Sequence, residues 1–236
     1  MNTYQLFSSF YRKYRGDAQI PDSTDPEYQI FLGYANDAIQ DWRQTDGVLW
    51  NELYNTAASS DAQLVVTPAN SKYTAPSDMD FPGGNIKVSS GGGSFSSLVP
   101  VIEPYEALAQ ATVSNYSYFT GDPNNGFTLN YSVSGLPNGT FTIDYPYYKL
   151  PITLVSQNDI PEMRDPMFIV WYALRERLEN SRNSLWQKAD ENANKCLQQM
   201  VIRNAMGTNY NGWTIQDSQG GGFGSSVLGT GQNIFR

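Results

Sequence analysis

The chain has 236 residues, with 15 Lys+Arg, 23 Asp+Glu, 0 His and 1 Cys. Without imidazole, no Ser-His-Asp or Cys-His nucleophile and no histidine metal site can be assembled; a lone thiol excludes a multi-cysteine zinc site and any disulfide within one chain. The formal charge of −8 argues against a free-standing nucleic-acid binder, which would neutralise phosphates with clustered Lys and Arg.

The length suffices for one substantial domain or two small ones without staples. Charged residues make up only 16 % while 14 % are aromatic, 16 of them Tyr, a polar-aromatic composition suited to protein contacts. Met1-Asn2-Thr3-Tyr4 lacks the basic stretch and apolar core of a signal peptide. No run approaches the roughly 20 apolar residues needed to span a bilayer. A soluble protein made in a reducing cytoplasm, with no membrane partner, is expected.

Residues 1–59 read as an N-terminal helical part. Phe7, Phe10, Tyr11 and Tyr14 recur at helical spacing, Arg12, Lys13 and Arg15 favour the dipole of a last turn, and Gly16 supplies a stop. Asp25-Pro26 is an N-cap followed by a first-turn proline. Tyr28, Phe31, Ala35, Ala38, Ile39 and Trp42 then continue as one apolar face to Gln44 or Thr45. Leu49, Trp50 and Leu53 suit a short helical turn or a packed loop.

Residues 60–158 are β-rich, with short runs punctuated by Pro, Gly and Asn. Strands are expected at Gln63–Thr67, Ile86–Val88, Leu98–Ile102, Phe127–Tyr131 and Thr140–Tyr145, with a short helix over Pro104–Ala111. Asn138-Gly139, lying between two such runs, is a hairpin signal.

Residues 159–206 are a C-terminal helical part expected to pack with the N-terminal helices. Asp165-Pro166 opens it, and Trp171, Leu174 and Leu178 form its first apolar face. The weak helix formers Asn180 to Asn183 and a Ser184-x-x-Gln187 capping box favour a break over one helix about 60 Å long. Leu185, Ala189, Ala193, Cys196, Leu197 and Met200 make the second stripe. Residues 207–236 are low in charge and rich in Gly, with Trp213, Ile215, Phe223, Val227, Leu228, Ile234 and Phe235 spaced along them. Either a disordered tail or one that orders on a partner fits; the spaced aromatics favour the second.

Catalysis without histidine would need carboxylates, Lys, Tyr or an oxygen-ligated metal. Asp78 with Asp80, and Glu103 with Glu106, are the closest acidic pairs and read as surface or turn residues. Asp17, Asp22 and Asp25 do not have EF-hand spacing. The runs Gly91-Gly92-Gly93 and Gly220-Gly221-Gly222 lack the Lys-Ser/Thr ending of a phosphate loop. Arg175 and Arg177, with Glu176 and Glu179, suit a solvated or intersubunit salt-bridged face, and Cys196 suits core packing. Tyr145, Tyr147 and Tyr148 could stack on sugars or bases, with strand-end packing or interface use favoured. No catalytic, cofactor or metal site is expected, so the protein is expected not to be an enzyme.

The order of elements adds to this. An aromatic helical pair leads to Trp42 and Trp50, then to Lys72-Tyr73-Thr74-Ala75-Pro76-Ser77-Asp78-Met79, to Gly139-Thr140-Phe141-Thr142-Ile143-Asp144-Tyr145, and to Ile160-Pro161-Glu162 before Trp171-Tyr172-Ala173-Leu174. Over roughly Asn2 to Gly207 this resembles the head-to-tail adaptor, or head-completion, proteins of tailed double-stranded DNA bacteriophages. The Gly- and Ser-rich Gly83 to Ser97 and the long tail depart from compact versions.

The resemblance implies an α+β fold in which N- and C-terminal helices form a helical bundle with a central antiparallel β insertion and an extended C-terminal tail. It implies a virion neck component in a twelve-subunit ring beneath the portal, with the portal protein and a tail or neck protein as partners. Genomic DNA would pass through its lumen without sequence-specific binding, since an acidic lining repels phosphate. Trp213, Ile215, Phe223, Leu228, Ile234 and Phe235 would dock on the portal. Two rival readings are another neck, tail-tube or minor capsid protein, and a carbohydrate-binding or carbohydrate-cleaving protein.

Overall fold

The computed structural model describes residues 1–16, 19–55, 63–66, 72–90, 96–109, 116–132 and 141–210, with the backbone alone for 63–66, 107–109 and 207–210. Helix α1 spans Thr3–Arg15 and opens on a capping box in which the Asn2 side chain accepts from Gln5 N at 2.9 Å and Gln5 Oε1 accepts from Asn2 N at 3.0 Å. Gly16 ends it at φ 71°, a left-handed value at which a Cβ would be strained. Helix α2, Pro26–Arg43, starts as expected from Asp25, whose carboxylate accepts from Glu27 N at 2.8 Å. The two apolar stripes interleave: Phe7 meets Tyr28 edge-on at 5.1 Å between ring centres and Phe10 meets Phe31 at 5.2 Å. The packed turn expected after α2 is the 3-10 turn Asn51–Leu53. Its Trp50 shoulder lies 5.1 Å from Trp42 and donates from Nε1 to the Trp42 carbonyl.

After the β-rich stretch come α4, Met167–Asn180, and α5, Trp186–Tyr210. The break falls where the weak helix formers put it, with Arg182 at φ 55°. In the turn ahead of the second helix Asn183 Oδ1 accepts from Leu185 N at 3.0 Å. Ala189, Ala193 and Met200 are buried as the expected stripe, while Leu185 is exposed at the turn. Helix α4 packs against α1, α2 and α5, and all four helices contribute to one buried cluster together with Trp50, Leu53, Leu154 and Met163.

Between the helical segments the strands form three antiparallel sheets. In one, β10 (Tyr147–Lys149) lies between β1 (Tyr54–Asn55) and β4 (Met79–Pro82). In the second, β9 (Phe141–Asp144) and β5 (Ile86–Ser90) are central, with β2 (Gln63–Val66) and β6 (Ser96–Val99) at the edges. In the third, β8 (Gly126–Ser132) lies between β3 (Lys72–Thr74) and β7 (Tyr116–Asp122), with the short helix α3 (Pro104–Ala109) against β7. Phe141 and Ile143 alternate inward on β9 and join Ile86, Val88, Val99 and Leu129 in a second core. Apart from α3, helices and antiparallel sheets are segregated along the chain, in keeping with an α+β fold.

Two expectations are corrected here. The runs flanking Asn138-Gly139 do not form a hairpin with one another: β8 pairs with β3 and β7, whereas β9 pairs with β2 and β5. The turn itself lies outside the described residues. A hairpin does form at β7–β8, where Asp122 Oδ1 accepts from Asn124 N and Asn125 N at 2.8 and 3.0 Å. At Gly121, φ 113°, an added Cβ would stand 2.1 Å from the Gly126 carbonyl oxygen, so only glycine fits. The run Leu98–Ile102 also ends as a strand at Val99, before Pro100. Among the described residues, β1, β3, β4, β7 and β10 were not anticipated by the runs chosen above.

Candidate assembly interface

The turn motif Tyr73-Thr74-Ala75-Pro76-Ser77-Asp78 joins β3 to β4 and so links two sheets. Ala75 N donates to the Phe127 carbonyl at 2.9 Å, Met79 N closes the turn on the Pro76 carbonyl at 3.1 Å, and Leu150 N donates to the Asp78 carbonyl at 2.6 Å. The Asp78 carboxylate accepts from the Tyr147 hydroxyl at 3.2 Å, and that hydroxyl accepts from Asn55 Nδ2 at 2.8 Å. Asp78 is thus a clasp between the turn and the β1–β10 pair.

The neighbouring acid has an equally structural role. Arg43 at the end of α2 makes a two-pronged pair with Asp80 of β4, at 2.8 and 2.5 Å, so Asp80 holds helix to sheet while Asp78 holds turn to strand. Glu103 and Glu106 are exposed. Among the described residues no group of three or more Asp, Glu or Cys side chains could hold a metal.

The three tyrosines Tyr145, Tyr147 and Tyr148 divide by burial. Tyr145 and Tyr147 are almost fully buried, and burial, with Tyr147 and Asp78 nearby, holds the Tyr145 hydroxyl well above its usual pKa. Both rings are strand-end packing rather than open platforms for sugars or bases. Tyr148 is half-buried, stacked on Phe81 at 4.7 Å and edge-on to Tyr54 at 5.3 Å. Burial also pushes Tyr131 up to about 12, with Tyr73 beside it adding to the shift.

The charged face of α4 makes its ion pairs within its own chain. Arg177 reaches Glu27 in the first turn of α2 at 3.1 Å, and Arg175 bonds Glu176 at 2.7 Å and Asp190 of α5 at 3.2 Å. Cation–π contacts extend this pattern, with Lys13 4.2 Å above Trp171 and Arg175 4.1 Å above Tyr172. Cys196 is half-buried against the helical core, and burial raises its thiol pKa, which suits packing over reactivity.

What remains for contact with other molecules is a set of exposed features on rigid supports. The loop 151–165 is anchored by buried Leu154 and Met163. Asn36 grips its backbone twice, accepting from Leu154 N at 2.8 Å and donating to the Leu154 carbonyl at 3.0 Å. Asp159 Oδ2 accepts from Val155 N and Ser156 N, which lowers its pKa. The Asp159 carbonyl in turn accepts from Thr3 N at 2.8 Å, and the Gln157 carbonyl from Tyr4 N at 3.1 Å. Despite this, Val155 and Ile160 project into solvent. Sequence reasoning passed over this loop because its apolar residues have no period; the signal was an apolar run framed by Pro151 and Pro161.

The second feature is the outer face of α5. Asn204 ties the helix to the preceding domain segment, donating to the Leu49 carbonyl at 2.7 Å and accepting from Asn51 N at 3.0 Å. Ile202, Arg203 and Met206 on the other side are exposed. The six expected docking residues, Trp213, Ile215, Phe223, Leu228, Ile234 and Phe235, lie outside the described residues.

Across residues 2–218 the chain matches the family described as SU10 adaptor protein. The chain belongs to the SU10 adaptor protein family. That match spans the helices and all three sheets together. Among curated proteins none matches the chain. Membership makes it a phage structural protein and not an enzyme, which removes the carbohydrate-cleaving reading. A SU10 adaptor is a virion component that works through contacts with other virion proteins. No helix among the described residues is long and apolar enough to cross a membrane.

Proposed function

We propose that this SU10 adaptor joins the portal to the tail, forms part of the DNA channel and helps to retain packaged DNA. The observation that carries the reading is the family match over residues 2–218. It is supported by the structural use of Asp78, Asp80, Tyr145 and Tyr147, which leaves exposed apolar and charged surface elsewhere for assembly. In this reading the helices of residues 1–59 and 159–206 form a bundle and residues 60–158 are a central insertion. The pairing of β1 with β10 supports it, because the strand by which the chain leaves the first helices lies beside the strand by which it returns.

The protein would act as a twelve-subunit ring in the neck, after synthesis in the host cytoplasm. Residues 207–236 would dock on the portal through Trp213, Ile215, Phe223, Leu228, Ile234 and Phe235. The net charge of −8 would let DNA slide, since an acidic lining repels phosphate where a basic one would bind it in a salt-dependent way. Electron microscopy and mass measurement of the protein with and without portal test this. Twelve-fold rings on portal are expected; a six-fold ring that ignores portal would assign the protein to the tail tube or another neck position. Deleting residues 207–236 should abolish portal attachment, and unchanged attachment overturns the docking role of the tail.

A further inference from the structure

Two groups of apolar side chains stay in solvent on rigid backbone. On the loop 151–165, Val155 is 75 % exposed and Ile160 62 %, although Asn36, Asp159, Thr3 and Tyr4 pin the backbone beneath them. On α5, Ile202 is 54 % exposed and Met206 62 %. Four residues apart, these two share one helix face, turned away from buried Ala193, Met200 and Asn204. Isolated exposed apolar residues are ordinary. Here each pair sits on an ordered support and has a charge beside it.

The charges are opposite. Asp159 lies between Val155 and Ile160 on the loop, while Arg203 lies next to Ile202 on α5 and three residues from Met206. Arg203 makes no ion pair among the described residues. The two groups also ride on different elements: the loop is tied to α1 and α2, and the exposed face of α5 is the side away from α4 and from the 49–51 segment.

We propose that the Val155/Ile160 tip of one copy packs on the Ile202–Met206 face of α5 in a second copy, with Asp159 meeting Arg203. Like-on-like pairing would set Asp159 against Asp159 or Arg203 against Arg203, so the contact runs from one patch to the other. Such a heterologous interface repeats from copy to copy and closes into a ring when the rotation allows. This inference rests on the self-assembly part of the adaptor reading and names the surfaces that perform it.

The test uses the full chain and two double variants, Val155→Asp with Ile160→Asp, and Ile202→Asp with Met206→Asp. All four positions are exposed, so circular dichroism melts should match the wild type; Ser replacements at the same positions serve if they do not. Self-association is read by sedimentation velocity for the chain alone and by copies retained on portal. Each variant alone should associate more weakly by on the order of a hundredfold. Mixed in equal amounts, the two should form a heterodimer and stop, because only one intact tip and one intact face remain to meet.

Either variant assembling like the wild type, or a mixture that stays monomeric or grows past two copies, overturns the interface while leaving the adaptor reading in place. Loss of portal attachment with self-association intact also overturns it and assigns these surfaces to the portal. A wild-type chain that remains monomeric alone and on portal removes both proposals.

Discussion

Around α1, α2 and α4, aromatic rings meet one another: Phe7, Phe10 and Phe31 pack ring on ring, and Trp50 settles on Trp42. Most of these groups need no polar partner, although Tyr28 Oη and Trp42 Nε1 are buried there without one among the described residues. Between the sheets Phe119 and Phe141 are joined by buried Tyr131, Tyr145 and Tyr147, each of which brings a hydroxyl into the interior. Tyr147 is bridged to Asn55 and Asp78, and Tyr145 Oη is buried with no hydrogen-bond partner among the described residues. The helical core is therefore held mainly by area and shape, whereas the β core adds polar clasps that link one small sheet to the next.

Phe31→Ala should have the largest effect. The ring is fully buried against Phe7 and Phe10, and a cavity there costs about 3–5 kcal/mol, read by chemical denaturation. Hydrogen exchange of the β8 amides sharpens the comparison. Protection should fall together with that of the helices, since Arg43–Asp80 and Lys149–Glu162 join the two parts. Sheets that stay protected after the helices melt would show two independent units.

Asn36→Ala should cost about 1–3 kcal/mol, because its side chain satisfies both backbone groups of Leu154. Faster exchange at Leu154 N, with the α2 amides unchanged, would place the damage in the loop. Tyr147→Phe keeps the ring but removes the hydroxyl between Asn55 and Asp78, for about 1 kcal/mol. An unchanged midpoint for this variant would break the contrast drawn between the two cores.

The same contrast explains what was legible in the sequence. Helix limits are written locally: Asp25-Pro26 and Asp165-Pro166 mark starts, Gly16 a stop, and Asn180 to Asn183 a break. Sheet partners are not. Asn138-Gly139 looks like a hairpin to any reader of neighbouring residues, but β9 is taken by β5 and β2, and the choice is made by packing across the whole insertion. Strands such as β1, with 2 residues, and β10, with 3, are too short to show a period. The loop 151–165 was hidden for a related reason, since Asn36, which fixes its backbone, is 118 residues away from Leu154. Arg175 and Arg177 looked like an outward charged face because their partners, Asp190 and Glu27, are set by helix packing.

The smallest expected effect belongs to Asp159 and carries a pH signature. Its carboxylate is held ionised by the Ser156 and Val155 N–H donors, which lower its pKa below that of an ordinary aspartate. A carboxylate depressed on folding stabilises the fold fully above its unfolded pKa, and that contribution disappears as pH falls through the folded value. The loop should therefore loosen only on acidification below the usual aspartate range. Exchange of the Val155 and Ser156 amides, corrected for intrinsic rates, should accelerate there while Leu154, held by the non-titrating Asn36, does not. Asp159→Asn keeps an acceptor oxygen but removes the charge, so it should raise exchange at these two amides several-fold near neutral pH and abolish the acid step. If the acid step persists in that variant, another group controls the tip, and the rigid display of Val155 and Ile160 does not depend on this carboxylate.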